Sequence, residues 1–193
     1  MKIRIEYYRN FKKSMNMNYI PQEADILLTG LNPTKQALTD GALFSHDRSL
    51  WNILERAGFY SNSSHIPAIM MYPKLVSGQL NTALKIGLAD LLPHIDEQHA
   101  ACVQVEPQFV HSFLKEAAIK KVKRIGLMGE KVIKAFVLEY PHLRFTSIRD
   151  YENQLGEIEI DGHTITVFAL PFPNNNNIPN KFLYYKNLIT NRN

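Results

Sequence analysis

Hydrophobic positions along the chain fall into short runs separated by polar turns. Ile26, Leu27 and Leu28 are continuously apolar, the pattern of a strand buried on both faces of a parallel sheet. Residues 122–128 repeat that pattern, and Gly129 then opens a helix over 130–139. In IEIDGHTITVFAL, 158–170, two alternating runs flank Asp161-Gly162, which predicts a type I′ hairpin. Its second arm becomes wholly apolar at Val167, Phe168, Ala169 and Leu170, as a central strand does.

Helical spacing appears elsewhere. Leu50, Trp51, Leu54 and Ala57 predict a helix over 48–57, with Asp47 as N-cap and Gly58 as C-cap. Glu106-Pro107 starts a helix over 107–119, with Phe109, Phe113, Ala117 and Ile119 as its apolar face. A last helix is expected over 179–190. Residues 66–71 read as a strand or a buried loop. Residues 80–92 read as a helix or as a strand centred on 86–88, ended by Pro93. Residues 32–46 read as a loop turning at Asp40-Gly41. Residues 1–24 read as an N-terminal arm or as a helix on the sheet edge. Strands and helices alternate without repeat or linker. The expected fold is one α/β domain over 1–193, a three-layer α/β/α sandwich with a mostly parallel central sheet.

A chain of 193 residues can bury a full core, and 45% hydrophobic with 21% charged residues is an ordinary globular balance. No window approaches a membrane span, and the N-terminus lacks a signal-peptide pattern. Cys102 is the single cysteine, so no internal disulfide and no all-cysteine metal site can form. Both points favour a cytoplasmic protein. The net charge is +4 and the pI about 9.1. Basic residues cluster at 1–13 and 115–134, which favours a polyanionic partner if the clusters share a face. Otherwise they are separately solvated surfaces.

Several kinds of chemistry lack their residues. There is no G-x-S-x-G elbow, phosphate loop, G-x-G-x-x-G or H-E-x-x-H. Ser45-His46-Asp47 holds triad residue types, but adjacent side chains point apart. What remains is a set of polar residues after buried strands: Asn32, Asp90, Gly129 and the asparagines from Asn174 to Asn177. In a parallel sheet these loops meet at the carboxyl edge, where open α/β sheets bind ligands. Pro33 stops the ladder and biases Asn32 towards an extended conformation, so an amide is held at that edge. Each of these residues, taken alone, is also ordinary turn chemistry.

Taken in order, the motifs form a more specific pattern. Gly30-Leu31-Asn32-Pro33, then Asp40-Gly41, Phe44, Leu50-Trp51 and Ala57-Gly58-Phe59, resemble the first motif and following helix of the uracil-DNA glycosylase superfamily. The likeness is nearest to its mismatch-specific uracil/thymine-DNA glycosylase branch, with its G-I-N-P-G motif. Ile86–Asp90 with Leu91-Leu92 resembles the family's next conserved-type segment, and Leu127-Met128-Gly129-Glu130 its following strand–glycine–helix step. Leu170-Pro171-Phe172-Pro173-Asn174 resembles the second motif and the DNA-intercalating loop after it.

The resemblance implies a monofunctional DNA glycosylase, a monomer, acting on DNA with a damaged or mismatched base. It implies no cofactor, metal or covalent intermediate. By position, Asn32 matches the residue that places the attacking water, within a Gly30-Leu31 turn that contacts the substrate. Phe44 matches the aromatic on which the flipped base stacks; its plainer reading is a core phenylalanine. Asp90 falls where relatives place Asn or Lys beside the base edge, or is a turn residue. Pro171, Pro173, Asn174, Asn175, Asn176 and Asn177 match the strand-gripping loop, and Ile178 the apolar wedge that fills the vacated stack. The chain departs from the family in three places: Thr34 stands for the usual glycine, Asp90 is a carboxylate, and Phe172 or Asn174 stands where a serine grips phosphate. The departures motivate an alternative, a DNA- or nucleotide-binding protein on the same fold without base excision.

Overall fold

The computed structural model describes residues 17–61, 66–95, 102–148 and 153–190. The expected N-terminal arm or helix lies outside them up to residue 16. Five strands and six helices occur among the described residues. In chain order they are β1 (Ile26–Gly30), α1 (Lys35–Asp40), α2 (Arg48–Ala57), α3 (Ala68–Val76), β2 (Ile86–Asp90), α4 (Pro107–Ile119), β3 (Arg124–Met128), α5 (Glu130–Glu139), β4 (Gln154–Ile160), β5 (His163–Leu170) and α6 (Lys181–Thr190).

The strands form one sheet in the order β2-β1-β3-β5-β4. β2, β1, β3 and β5 are parallel, and β4 is an antiparallel edge strand. β1 is buried at every position, as its apolar run requires. Alternate residues serve opposite layers. Ile26 and Leu28 face a core built with α2, α3 and α6, while Leu27 faces one built with α4 and α5. The result is the expected α/β/α sandwich. The hairpin turn is also as read: Asp161 and Gly162 both have positive φ, 51° and 77°. No helix among the described residues is long and apolar enough to cross a membrane.

Three local expectations change and one alternative is resolved. Residues 32–46 are not wholly loop, because 35–40 form α1. Thr34 accepts a hydrogen bond from Ala37 N at 3.1 Å and so caps a helix too short to show periodicity. Residues 66–71 are neither strand nor buried loop; from Ala68 they belong to α3. Its buried side chains, Met71, Tyr72 and Leu75, show helical spacing only when the window runs past Pro73. For 80–92 the strand reading holds, over Ile86–Asp90. The α4 face is turned from the expected one: Val110, Phe113, Leu114, Ala117 and Ala118 are buried, whereas Ile119 is 73% exposed.

The candidate active site

Because four strands are parallel, the loops after β1, β2, β3 and β5 emerge at one edge of the sheet. Past Gly30 and Asp90 the two chains stay paired. Leu91 N donates to Gly30 O at 3.0 Å and Leu92 N to Leu31 O at 2.8 Å. A cavity of about 530 Å³ opens there. Gly30, Leu31, Asn32, Phe44 and Asp90 all line it, with Thr34, Asp47, Phe172 and Asn174.

Asn32 is half-buried, and its Nδ2 donates to Ile95 O at 3.3 Å and to Pro33 O at 3.4 Å. These contacts turn the amide nitrogen towards the backbone after β2. Phe44 has a φ of 54°, an unusual value for a bulky residue. Two donors hold its carbonyl there, Trp51 Nε1 at 3.1 Å and Asp47 N at 3.1 Å. Strain at this point aims the ring into the cavity: Cζ lies 3.4 Å from where a Cβ on Gly30 would be. The loop beneath is cinched by Asp40, which accepts from Ser45 Oγ at 2.6 Å and Gln36 Nε2 at 2.9 Å and meets His46 Nε2 at 3.0 Å. The Ser45 and Gln36 bonds hold the Asp40 carboxyl below its usual range. Ser45 and His46 both serve Asp40, so no nucleophile–base pair is formed between them.

Asp90 is 2% exposed at the cavity floor. Burial pushes its carboxyl up to about 7. Asn18 grips its backbone on both sides, Oδ1 accepting from Asp90 N at 2.9 Å and Nδ2 donating to Asp90 O at 3.0 Å. Asn18 was invisible to motif reading because its role depends on a contact across 72 residues.

The loop after β5 reaches the cavity through Phe172 and Asn174, not through its whole length. Pro171 and Pro173 are buried supports: Tyr185 donates to Pro171 O at 2.9 Å, and Lys181 donates to Pro173 O. Asn175 and Asn177 close a turn on themselves, Asn177 N donating to Asn175 Oδ1 at 3.0 Å. Asn175, Asn176, Asn177 and Ile178 do not line the cavity, and Ile178 packs against the core. The exposed apolar side chain of the loop is Phe172, 39% exposed. Asn174 Nδ2 donates to Asp47 Oδ2 at 3.4 Å and ties this loop to the start of α2. Asp47 was readable as an N-cap but not as a cavity residue, since the tether spans 127 positions.

The basic span at 115–134 is split between the two ends of the sheet, Lys131 standing in the first turn of α5 just after β3. Lys123 pairs with Asp25 at 2.7 Å, and Lys120 O accepts from Glu23 N, both at the amino end of β1. Lys134 pairs with Glu130 along α5. Lys181 reaches the loop after β5 through its bond to Pro173 O.

No curated protein gives a significant match to the chain. The sequence profile of the uracil DNA glycosylase superfamily, however, matches residues 17–187. That span contains every element of the sandwich up to α6 and all the residues that converge on the cavity. The ordered motifs, the fold and the profile agree, and the chain belongs to the uracil DNA glycosylase superfamily.

Proposed function

We propose that the protein is a monofunctional DNA glycosylase of the mismatch-specific uracil/thymine type, hydrolysing the N-glycosidic bond of uracil or a related deaminated base. The observation that carries this is the meeting of Asn32, Phe44 and Asp90 on one cavity at the carboxyl edge of the sheet. A base inside a duplex is out of reach of any such cavity, so the nucleotide must be extruded at a cost of a few kcal/mol. Stacking on Phe44 returns roughly 1–3 kcal/mol of that. Asp90 meets the Watson–Crick edge of the base.

Asn32 orients the attacking water through its amide oxygen. An amide is too weakly basic to remove a proton at neutral pH. The bond therefore breaks largely ahead of attack, leaving a cationic sugar and an anionic base, and fixed dipoles stabilise that charge separation. Phe172 and Asn174 engage the strand beside the vacated position, backed by Lys181 at the phosphates. DNA is the partner, and the reaction uses no cofactor or metal.

The test is base release from oligonucleotides carrying uracil, a G·T mismatch, hypoxanthine or xanthine, single- and double-stranded. Wild-type protein is expected to leave abasic sites on at least one of them. Asn32→Ala is expected to abolish release while keeping the wild-type melting transition. Undiminished release by the folded variant would remove Asn32 from the chemistry. Salt-dependent DNA binding without any abasic product would favour a binding protein on this fold.

A further inference from the structure

Asp90 is the one ionisable side chain on the cavity floor whose surroundings offer it no counter-charge among the described residues. The groups packed around it are otherwise engaged. From α3, the Tyr72 hydroxyl donates to Met17 O. From the loop before α2, His46 is held by Asp40 at 3.0 Å, and the Asp47 carboxylate caps Leu50 N at 3.0 Å. From the loop after β5 come Phe172 and Asn174, both uncharged. From β1, Gly30 lies flat against Asp90 Oδ1, where a Cβ would be only 2.3 Å away. Asn18 fixes the main chain and so sets the direction of the carboxyl. Tyr72 is itself pushed up to about 12 by burial and then by the Asp90 charge.

A carboxylate and a carboxylic acid present different edges. The carboxylate has acceptors only. The acid has one donor and one acceptor side by side, and burial without a counter-ion disfavours the charged form. A ring N–H beside a carbonyl, the lactam edge shared by uracil, hypoxanthine and xanthine, needs that donor–acceptor pair. Against a carboxylate the same edge gains one hydrogen bond and sets two oxygens facing each other.

We propose that Asp90 reads the base as a neutral carboxylic acid, its hydroxyl donating to the base carbonyl and its carbonyl oxygen accepting the adjacent ring N–H. The site therefore takes bases with a lactam edge, and loses them as the carboxyl ionises. This rests on the reading of the cavity as a base pocket. It explains how a carboxyl stands where the resemblance puts Asn or Lys: the protonated acid offers the same pair of groups as the amide of Asn.

Binding is measured apart from turnover. The probe is an oligonucleotide carrying 2′-fluoro-deoxyuridine, which resists cleavage, against the same strand with an abasic analogue. Its preferential binding is followed from about pH 5.5 to about pH 8.5. The wild-type preference for the uracil strand is expected to fall towards tenfold per pH unit above about 7. Asp90→Asn, which keeps donor and acceptor at every pH, is expected to lose that fall. A flat wild-type profile, the same inflection in Asp90→Asn, or no preference for uracil at any pH overturns the proposal. Should the variant fail to fold, the carboxyl carbon of Asp90 in the wild-type protein is titrated by NMR. A protonated signal at about pH 6 is expected, and an ionised one there overturns the proposal. Because binding is read without cleavage, a protein that excises nothing refutes the glycosylase reading separately.

Discussion

Gly30 and Asp90 are register partners at the carboxyl ends of β1 and β2, and the space above Gly30 is already filled by Asp90. A Cβ on Gly30 would stand 2.3 Å from Asp90 Oδ1 and 3.4 Å from Phe44 Cζ. The missing side chain is what lets a carboxyl and an aromatic ring share one end of the cavity. Gly30→Ala is therefore expected to push Asp90 aside rather than merely stiffen the strand. Overpacking of this kind costs about 1–3 kcal/mol, and a misplacement near 1 Å costs about a hundredfold in rate. Denaturant unfolding and single-turnover base release measure the two effects. Wild-type rates in the alanine variant would mean that the carboxyl position is irrelevant to the reaction.

Thr34 is explained by α1. Its hydroxyl accepts from Ala37 N at 3.1 Å, and its φ and ψ of −74° and 159° are those of an N-cap. Thr34→Ala is expected to lose about 1 kcal/mol and Thr34→Gly only a few tenths, with Thr34→Ser close to wild type. Thermal melts of the three variants give the order. If all three match wild type, the capping bond contributes nothing. Thr34 was one motive for the alternative without base excision, and the cap gives the residue a structural role beside the cavity.

What was legible in the sequence were features carried by neighbours in the chain. The apolar run at 26–28 announced a buried strand, Asp161-Gly162 announced the turn between β4 and β5, and Asp47 and Gly58 announced both ends of α2. Features made by distant residues were not legible. The Asn18 clamp on Asp90 and the Asn174–Asp47 tether each join segments that carry no mutual mark. The asparagine run misled for a related reason. Its composition suggested a surface of amides against DNA, but the Asn175 side chain is spent on the Asn177 backbone N–H of its own turn, and Phe172 takes the exposed apolar place. A helix as short as α1 has too few turns to display a period, so its cap was the only available signal.

Asp90 links the site to stability. Burial raises its carboxyl from 3.8 to about 7. Between those values the folded protein holds a proton that the unfolded chain has released, so stability falls as pH rises through that window. At about 1.4 kcal/mol per pKa unit, the ionised side chain costs on the order of 4 kcal/mol by pH 8. Asp90→Asn is expected to be more stable than wild type at that pH, with the difference shrinking towards pH 4. Urea unfolding across the range measures it. A wild-type stability that rises steadily over the same interval would contradict the assigned direction.

Asp47 carries two duties that substitutions can separate. Oδ1 caps Leu50 N at 3.0 Å, and Oδ2 takes Asn174 Nδ2 at 3.4 Å. Burial raises this carboxyl, with the cap bonds and Lys181 opposing the rise. The sign is that of Asp90: the proton is kept in the fold to higher pH, so ionisation works against stability. Asp47→Asn keeps a capping oxygen and removes the charge, and is expected to stay within about 0.5 kcal/mol of wild type at neutral pH. Asp47→Ala removes the cap and is expected to lose about 1 kcal/mol. Both variants weaken the tether to the loop after β5, as Asn174→Ala does without touching the cap. If that tether holds Phe172 over the cavity, all three lower affinity for DNA, while only Asp47→Ala lowers the melting temperature appreciably. Unchanged DNA affinity in Asn174→Ala would show that the loop keeps its place through Pro171, Pro173 and Lys181 alone.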